Sequence, residues 1–212
     1  KIFIHLSTCG VYGSLENDKI SENTKPNPVT FYSKSKLIGE DILIQKFKDK
    51  KIKLIILRPS QVMGNNMRNT SLKKLNHYLK RGLFFYIKNK ESIFSYIFAN
   101  DLIIAINKIL NKSNLNNQIY NISNYIKYKD LVSILQKKQK KKYLIFNVSP
   151  FIIKSLIYFF DKILKIKLPI NEKTLYSLIT KKIFLSSKIR KDFSIHKFTN
   201  IRSKNLYYLL ND

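Results

Sequence analysis

Two residues four apart, Tyr32 and Lys36, have the types and spacing for proton chemistry. They stand in FYSKSKLIGE, residues 31–40. On a helix, positions i and i+4 share a face, so phenol and ammonium lie one turn apart. A free phenol titrates near pH ~10 and is a poor base at neutrality. A fixed ammonium about 4 Å away favours the phenolate by roughly 4 kcal/mol at an effective dielectric of about 20. That amounts to about three pKa units and would bring the phenol near its working pH. In a lysine-rich chain with 13 tyrosines, however, the pair alone also fits an ordinary amphipathic helix.

Three elements must position the pair. Thr30 or Ser33 can cap a helix whose apolar positions are Leu37, Ile38, Ile42, Leu43 and Phe47. Upstream, residues 2–13 (IFIHLSTCGVYG) predict a buried strand ending in Ser7-Thr8, then a turn closed by Val11-Tyr12-Gly13. Downstream, residues 53–64 (KLIILRPSQVMG) predict a second buried strand, parallel by its continuous apolar run, ending in Arg58-Pro59. A short hydroxyl at a strand end, such as Thr8 or its neighbour Ser7, can hold a reacting oxygen in line with a base. It can equally satisfy the backbone of a turn.

Strand with hydroxyls, Tyr-x-x-x-Lys helix, strand with Arg-Pro: this order and spacing resembles the extended short-chain dehydrogenase/reductases. More narrowly it resembles their NAD-dependent sugar epimerase/dehydratase branch. The resemblance implies an α/β fold: the C-terminal half of a Rossmann-type parallel sheet plus a smaller mixed α/β substrate-binding region. Residues 1–64 would be the remaining part of the NAD(P)-binding domain. Residues 65–212 would be mainly substrate-binding, with some elements returning to the sheet.

The same resemblance implies catalytic roles for Tyr32, Lys36 and Thr8. Tyr32, Lys36, Pro59, Ser60 and Val62 would lie against NAD or NADP, and Thr8, Gln61 and Asn65 against the substrate, a small molecule of the nucleotide-sugar class. Cys9 and Gly10 stand where the sugar 4,6-dehydratases carry Asp-Glu, which leaves oxidation, reduction or epimerisation. Phe98 stands in the place of a family histidine. Phe94 or Ser95 stands where many nucleotide-sugar epimerases hold the diphosphate with Arg, and Lys88 or Lys90 could substitute only as point charges. A homodimer is compatible with the pattern. No G-x-G-x-x-G or G-x-x-G-x-x-G occurs, so the pyrophosphate cradle of the family is missing and the chain reads as a fragment. A catalytically silent remnant, or half of a split enzyme needing a partner chain, is the alternative.

Composition narrows the remaining classes. The net charge of +27 invites a nucleic-acid reading. Only five of the 40 basic residues are Arg, however, whereas phosphate and base recognition favours Arg forks. The lysines are spread throughout, with one run at residues 137–142, and a specific nucleic-acid partner is not expected. A single Cys excludes an internal disulfide framework and suits a reducing cytoplasm. Three scattered histidines give no metal-ligand spacing. Residues 150–168 predict a basic amphipathic helix, docked on the core or lying on a membrane surface. Further along, helices are expected at 72–83, 102–110 (capped by Asp101) and 127–136. Strands are expected at 84–87, 92–98, 118–122 and 143–148.

Overall fold

The chain was examined as a computed structural model that describes residues 1–13, 19–64, 71–82, 86–87, 92–139, 147–159 and 181–203. Strand β1 (Ile2–Leu6) leads through a 3-10 turn (Cys9–Tyr12) to β2 (Lys19–Ile20), helix α1 (Phe31–Phe47), β3 (Lys53–Pro59) and β4 (Gln61–Met63). Then come α2 (Ser71–Lys80), β5 (Tyr86–Ile87), β6 (Ile93–Phe98), α3 (Ala99–Leu110), β7 (Gln118–Ile122) and β8 (Asn124–Lys127). The remainder is α4 (Tyr128–Gln139), β9 (Asn147–Val148), α5 (Pro150–Tyr158), β10 (Ile183–Phe184) and α6 (Ser187–Asp192).

These elements form two compact units. The first comprises Lys1–Met67, Ser95–Tyr125 and Lys182–Asn205. Its centre is a parallel sheet ordered β1-β3-β7. β3 is buried from Leu54 to Pro59, as a strand covered on both faces must be. Ile55 and Leu57 point to one face, where Leu102, Ala105 and Ile109 of α3 and Ile189 of α6 close the core. Each such side chain, once buried, contributes roughly 1.5–3 kcal/mol. Leu54, Ile56 and Arg58 point to the other face, which α1 covers. In the second unit β5 pairs in parallel with β9, and Leu72, Leu79, Leu131, Val132 and Leu135 are buried.

β2 pairs in parallel with β10. Three expectations need correction. The strand at 2–6 is not buried: paired only with β3 among the described strands, β1 leaves Phe3 and Leu6 exposed. Asp101 lies inside the first turn of α3 without capping it; its carboxylate instead accepts from the Thr199 backbone N–H (2.9 Å) and hydroxyl (2.8 Å). On α1, Ile38 and Ile42 are exposed, and the fully buried positions are Ser33 and Glu40. The physical reason lies opposite: a guanidinium in the sheet face demands a carboxylate more than it tolerates another isoleucine. The expected strand at 143–148 is described only at its end, and the helix at 150–168 only as far as Phe159.

Arg58 and Glu40 form that pair. Arg58 Nε lies 3.0 and 3.2 Å from the two Glu40 oxygens, and Nη2 lies 2.5 Å from Oε2. Their side chains are 4% and 0% exposed. Ser7 Oγ donates to Glu40 Oε1. Arg58 Nη1 donates to the Tyr12 hydroxyl (2.9 Å), which donates to Asn121 Oδ1 (2.8 Å). Helix, turn and all three strand ends are thereby joined. Arg58→Ala strands a buried carboxylate and should cost about 3–5 kcal/mol in urea unfolding; a loss under about 1 kcal/mol would contradict a dry, uncompensated site.

Candidate active site

The site is built at the C-terminal ends of β1 and β3, where open α/β sheets place their ligands. Thr30 starts α1 with a reciprocal cap: its hydroxyl accepts from Ser33 N–H (3.1 Å), and its own N–H donates to Ser33 Oγ (3.1 Å). This start puts Tyr32 and Lys36 in the first two turns. Lys36 Nζ donates to the Leu6 carbonyl (3.0 Å) and lies 5.9 Å from the centre of the Tyr32 ring. The ammonium is therefore anchored to the strand end. Tyr32 is 61% exposed, so its phenol is open to an incoming molecule.

Thr8 follows the strand and caps the 3-10 turn, its Oγ1 accepting from Gly10 N–H (3.0 Å). A hydroxyl that accepts still has a proton to donate. Ser7, by contrast, is buried and turned to Glu40. The turn also explains the Val-Tyr-Gly motif: Gly13 has φ +59°, and a Cβ there would collide with the Asn27 carbonyl oxygen. Gly10 approaches α1 closely enough that a Cβ would meet Ser33 Cβ at 3.6 Å, which brings the turn after Thr8 against the start of the tyrosine helix.

Beyond Arg58, Pro59 is buried and Ser60, Gln61 and Val62 are half-buried. Ser60 N–H donates to the Ile122 carbonyl (3.1 Å). Ser60 Oγ and Gln61 Nε2 are buried atoms with no hydrogen-bond partner. Asn65 lies outside the described residues, as do Lys88 and Lys90.

Burial dominates the electrostatics of the titratable groups that pack around the strand ends. Burial pushes the Cys9 thiol well above its ordinary value, and Cys9 Sγ donates to the Arg58 carbonyl (3.0 Å); it is packing, not acid or base. Burial also raises Tyr12, against the pull of Arg58. His5 is lowered by burial first and by the Lys36 ammonium second, with Glu40 opposing. Ser95 Oγ donates to the Lys182 carbonyl (3.1 Å), Phe94 sits edge-on to Tyr128, and Phe98 is buried against Tyr96. Arg190 Nε donates to the Ile195 carbonyl (3.3 Å) and its Nη2 to that of His196.

Sequence reasoning missed the Ser7–Glu40–Arg58–Tyr12–Asn121 network. Its signal was available: an arginine ending an otherwise apolar strand must meet a buried acid, and Glu40 lies one turn beyond Lys36. Among the described residues no group of His, Cys, Asp or Glu could hold a metal ion, and no helix is long and apolar enough to cross a membrane.

Comparison with known proteins agrees with this layout. The model of the NAD dependent epimerase/dehydratase family matches residues 1–123. GDP-6-deoxy-D-talose 4-dehydrogenase of Aggregatibacter actinomycetemcomitans is 30% identical over 58% of this chain and 41% of its own length. Putative UDP-arabinose 4-epimerase 2 of Arabidopsis thaliana is 36% identical over 31% of this chain and 16% of its own. The chain thus spans less than half the length of the curated relatives it matches. Among solved structures, UDP-glucuronic acid 4-epimerase of Bacillus cereus, in complex with UDP-glucuronic acid and NAD, superposes with a TM-score of 0.68. It is 21% identical and covers 95% of this chain and 58% of its own. RMD of Pseudomonas aeruginosa, complexed with NADPH, gives 0.66 at 15% identity, covering 95% of this chain and 63% of its own. The parallel sheet is accordingly Rossmann-type, and the chain belongs to the NAD dependent epimerase/dehydratase family.

Proposed function

We propose that this chain carries the proton-transfer half of an NAD(P)-dependent epimerase or dehydrogenase acting on a hydroxyl of a nucleotide-sugar. The observation that carries the reading is the Lys36–Leu6 hydrogen bond (3.0 Å). It ties the tyrosine helix to the strand end that precedes Thr8, so two separate sequence motifs meet at one place. Tyr32 takes the proton of the reacting hydroxyl through its exposed phenol. Lys36 supplies fixed positive charge beside it. Thr8 donates to the substrate oxygen and holds it in line.

The unpartnered Ser60 Oγ and Gln61 Nε2 fit a polar ligand lying across the end of β3. Tyr32, Lys36, Pro59, Ser60 and Val62 would hold the nicotinamide end of NAD or NADP, and Gln61 and Asn65 would face the sugar. NAD or NADP, when bound, would supply the hydride acceptor for the carbon whose hydroxyl Tyr32 deprotonates. Cys9 and Gly10 stand where the sugar 4,6-dehydratases carry Asp-Glu, so the outcome would be a released ketone or an epimerised alcohol. Residues 1–64 would belong to the cofactor-binding domain, and residues 65–212 would be mainly substrate-binding.

One observation favours a second reading, half of an enzyme completed by another chain. Among the described strands β1 pairs only with β3, and Phe3 and Leu6 are 41% and 43% exposed. A parallel sheet is normally covered to its edges. In the protein as its cell makes it, NAD binding measured by calorimetry decides between them: binding unaided supports a single-chain enzyme, and binding only after a partner is added supports the split one. In whichever form binds NAD, Tyr32→Phe should lower turnover of UDP- or GDP-sugars by roughly 10²–10⁴-fold with an unchanged circular dichroism spectrum. Full activity in that variant would remove Tyr32 from the mechanism.

A further inference from the structure

Lys36 and Glu40, one helical turn apart, grip successive residues of the same strand end. Lys36 Nζ holds the Leu6 carbonyl, and the Glu40 carboxylate accepts from Ser7 Oγ. The Ser7 N–H is held in turn by the Leu57 carbonyl (2.8 Å). Thr8 comes next, and its own hydroxyl closes the turn onto Gly10. The residue bearing the third hydroxyl of the site is thus fixed from both sides.

The carboxylate cannot drift, because Arg58 binds it through two nitrogens and is itself held by Tyr12. A charge-assisted, bidentate contact gives direction as well as strength. The spacing of Lys36 and Glu40 equals one turn, and Leu6 and Ser7 are adjacent in the strand. Sliding α1 along β1 would therefore break both contacts together.

We propose that Ser7 and Glu40 are positioning residues that set the register between the Tyr32–Lys36 helix and Thr8. The proposal rests on the catalytic reading above. It assigns no proton transfer to either residue: the Ser7 hydroxyl donates to a carboxylate held by its arginine. Displacement of a reacting group by about 1 Å can cost on the order of 10²-fold in rate, so the effect belongs in turnover rather than in affinity.

Ser7→Ala removes one hydrogen bond and leaves the Arg58–Glu40 pair in place, so the fold should persist where Glu40→Ala could lose it. In the protein as its cell makes it, with UDP-glucuronic acid as the first sugar probe and NAD, kcat should fall about 10-fold or more while KM stays within about twofold. Ser7→Thr, which restores the hydroxyl, should recover most of the loss. Amide hydrogen exchange of residues 6–12 should rise in Ser7→Ala and return in Ser7→Thr, with β3 protected throughout. Unchanged kcat, or unchanged exchange in Ser7→Ala, overturns the proposal. So does a loss in which kcat falls equally in both variants and thermal stability falls with it, which marks packing alone. If the unaltered protein turns over no nucleotide-sugar, the catalytic reading fails and takes the positioning role with it, whereas active protein with unaltered exchange refutes the register clamp alone.

Discussion

A guanidinium buried in a sheet face is the constraint on which the rest of this structure depends. Arg58 points from the central strand into the layer under α1, out of reach of bulk water. Burying such a charge without a partner costs several kcal/mol, so its surroundings must be polar, close and fixed. Glu40 meets that demand, and in doing so it sets the rotation of α1 about its axis. The helix consequently turns Ser33, Glu40 and the half-buried Lys36, Leu37, Leu43 and Phe47 toward the sheet, and leaves Ile38 and Ile42 outside. Phe3 then meets Phe47, with ring centres 5.0 Å apart.

That choice of rotation has a chemical consequence. A helix with its carboxylate at position 40 facing the sheet has its position 36 facing the strand end one turn earlier. The ammonium of Lys36 lands on the Leu6 carbonyl, and the exposed Tyr32 sits at the open start of the helix, beside the turn that begins at Thr8. Apolar packing alone would hold α1 against the sheet but would not specify its register so sharply. Polar contacts are directional, and these run through β1, β3, β7 and the 3-10 turn. The opposite face of the sheet is apolar, where α3 and α6 close over Ile55 and Leu57. Stability comes chiefly from that face, and geometry from this one.

The site also carries a chemical record by substitution. Where elimination of water would call for carboxylates beside Thr8, the chain has a buried thiol hydrogen-bonded to a backbone carbonyl and a glycine pressed against α1. Phe98, in the place of a family histidine, is packed on Tyr96; of Phe94 and Ser95, the candidates for the diphosphate-arginine place, one sits edge-on to Tyr128 and the other is bonded to the Lys182 carbonyl. In this chain these side chains serve packing and backbone contacts. Polar atoms left without partners at Ser60 and Gln61 belong to the same end of the sheet. The high positive charge of the chain would raise the local concentration of an anionic substrate without specifying one.

Much of this was legible in the residues themselves. The unbroken apolar run at 54–57 announces a buried strand because every side chain of such a strand must avoid water, whereas the run at 2–6 forms a strand that leaves Phe3 and Leu6 exposed, and Thr30 with Ser33 announces a helix start because the first N–H groups need acceptors. Tyr32 and Lys36 share a face by helical geometry alone. The tertiary structure decided what periodicity cannot carry. It chose Ser33 and Glu40 over Ile38 and Ile42 as the buried face of α1, since the partner of a buried arginine is named by space and not by spacing. It turned Ser7 toward Glu40 and left Thr8 on the turn, although both are hydroxyls at the same strand end. It gave Asp101 to Thr199 rather than to a helix cap, across 98 residues of sequence. Local chemistry is written in local sequence; the partner of a buried charge is set only when distant segments meet.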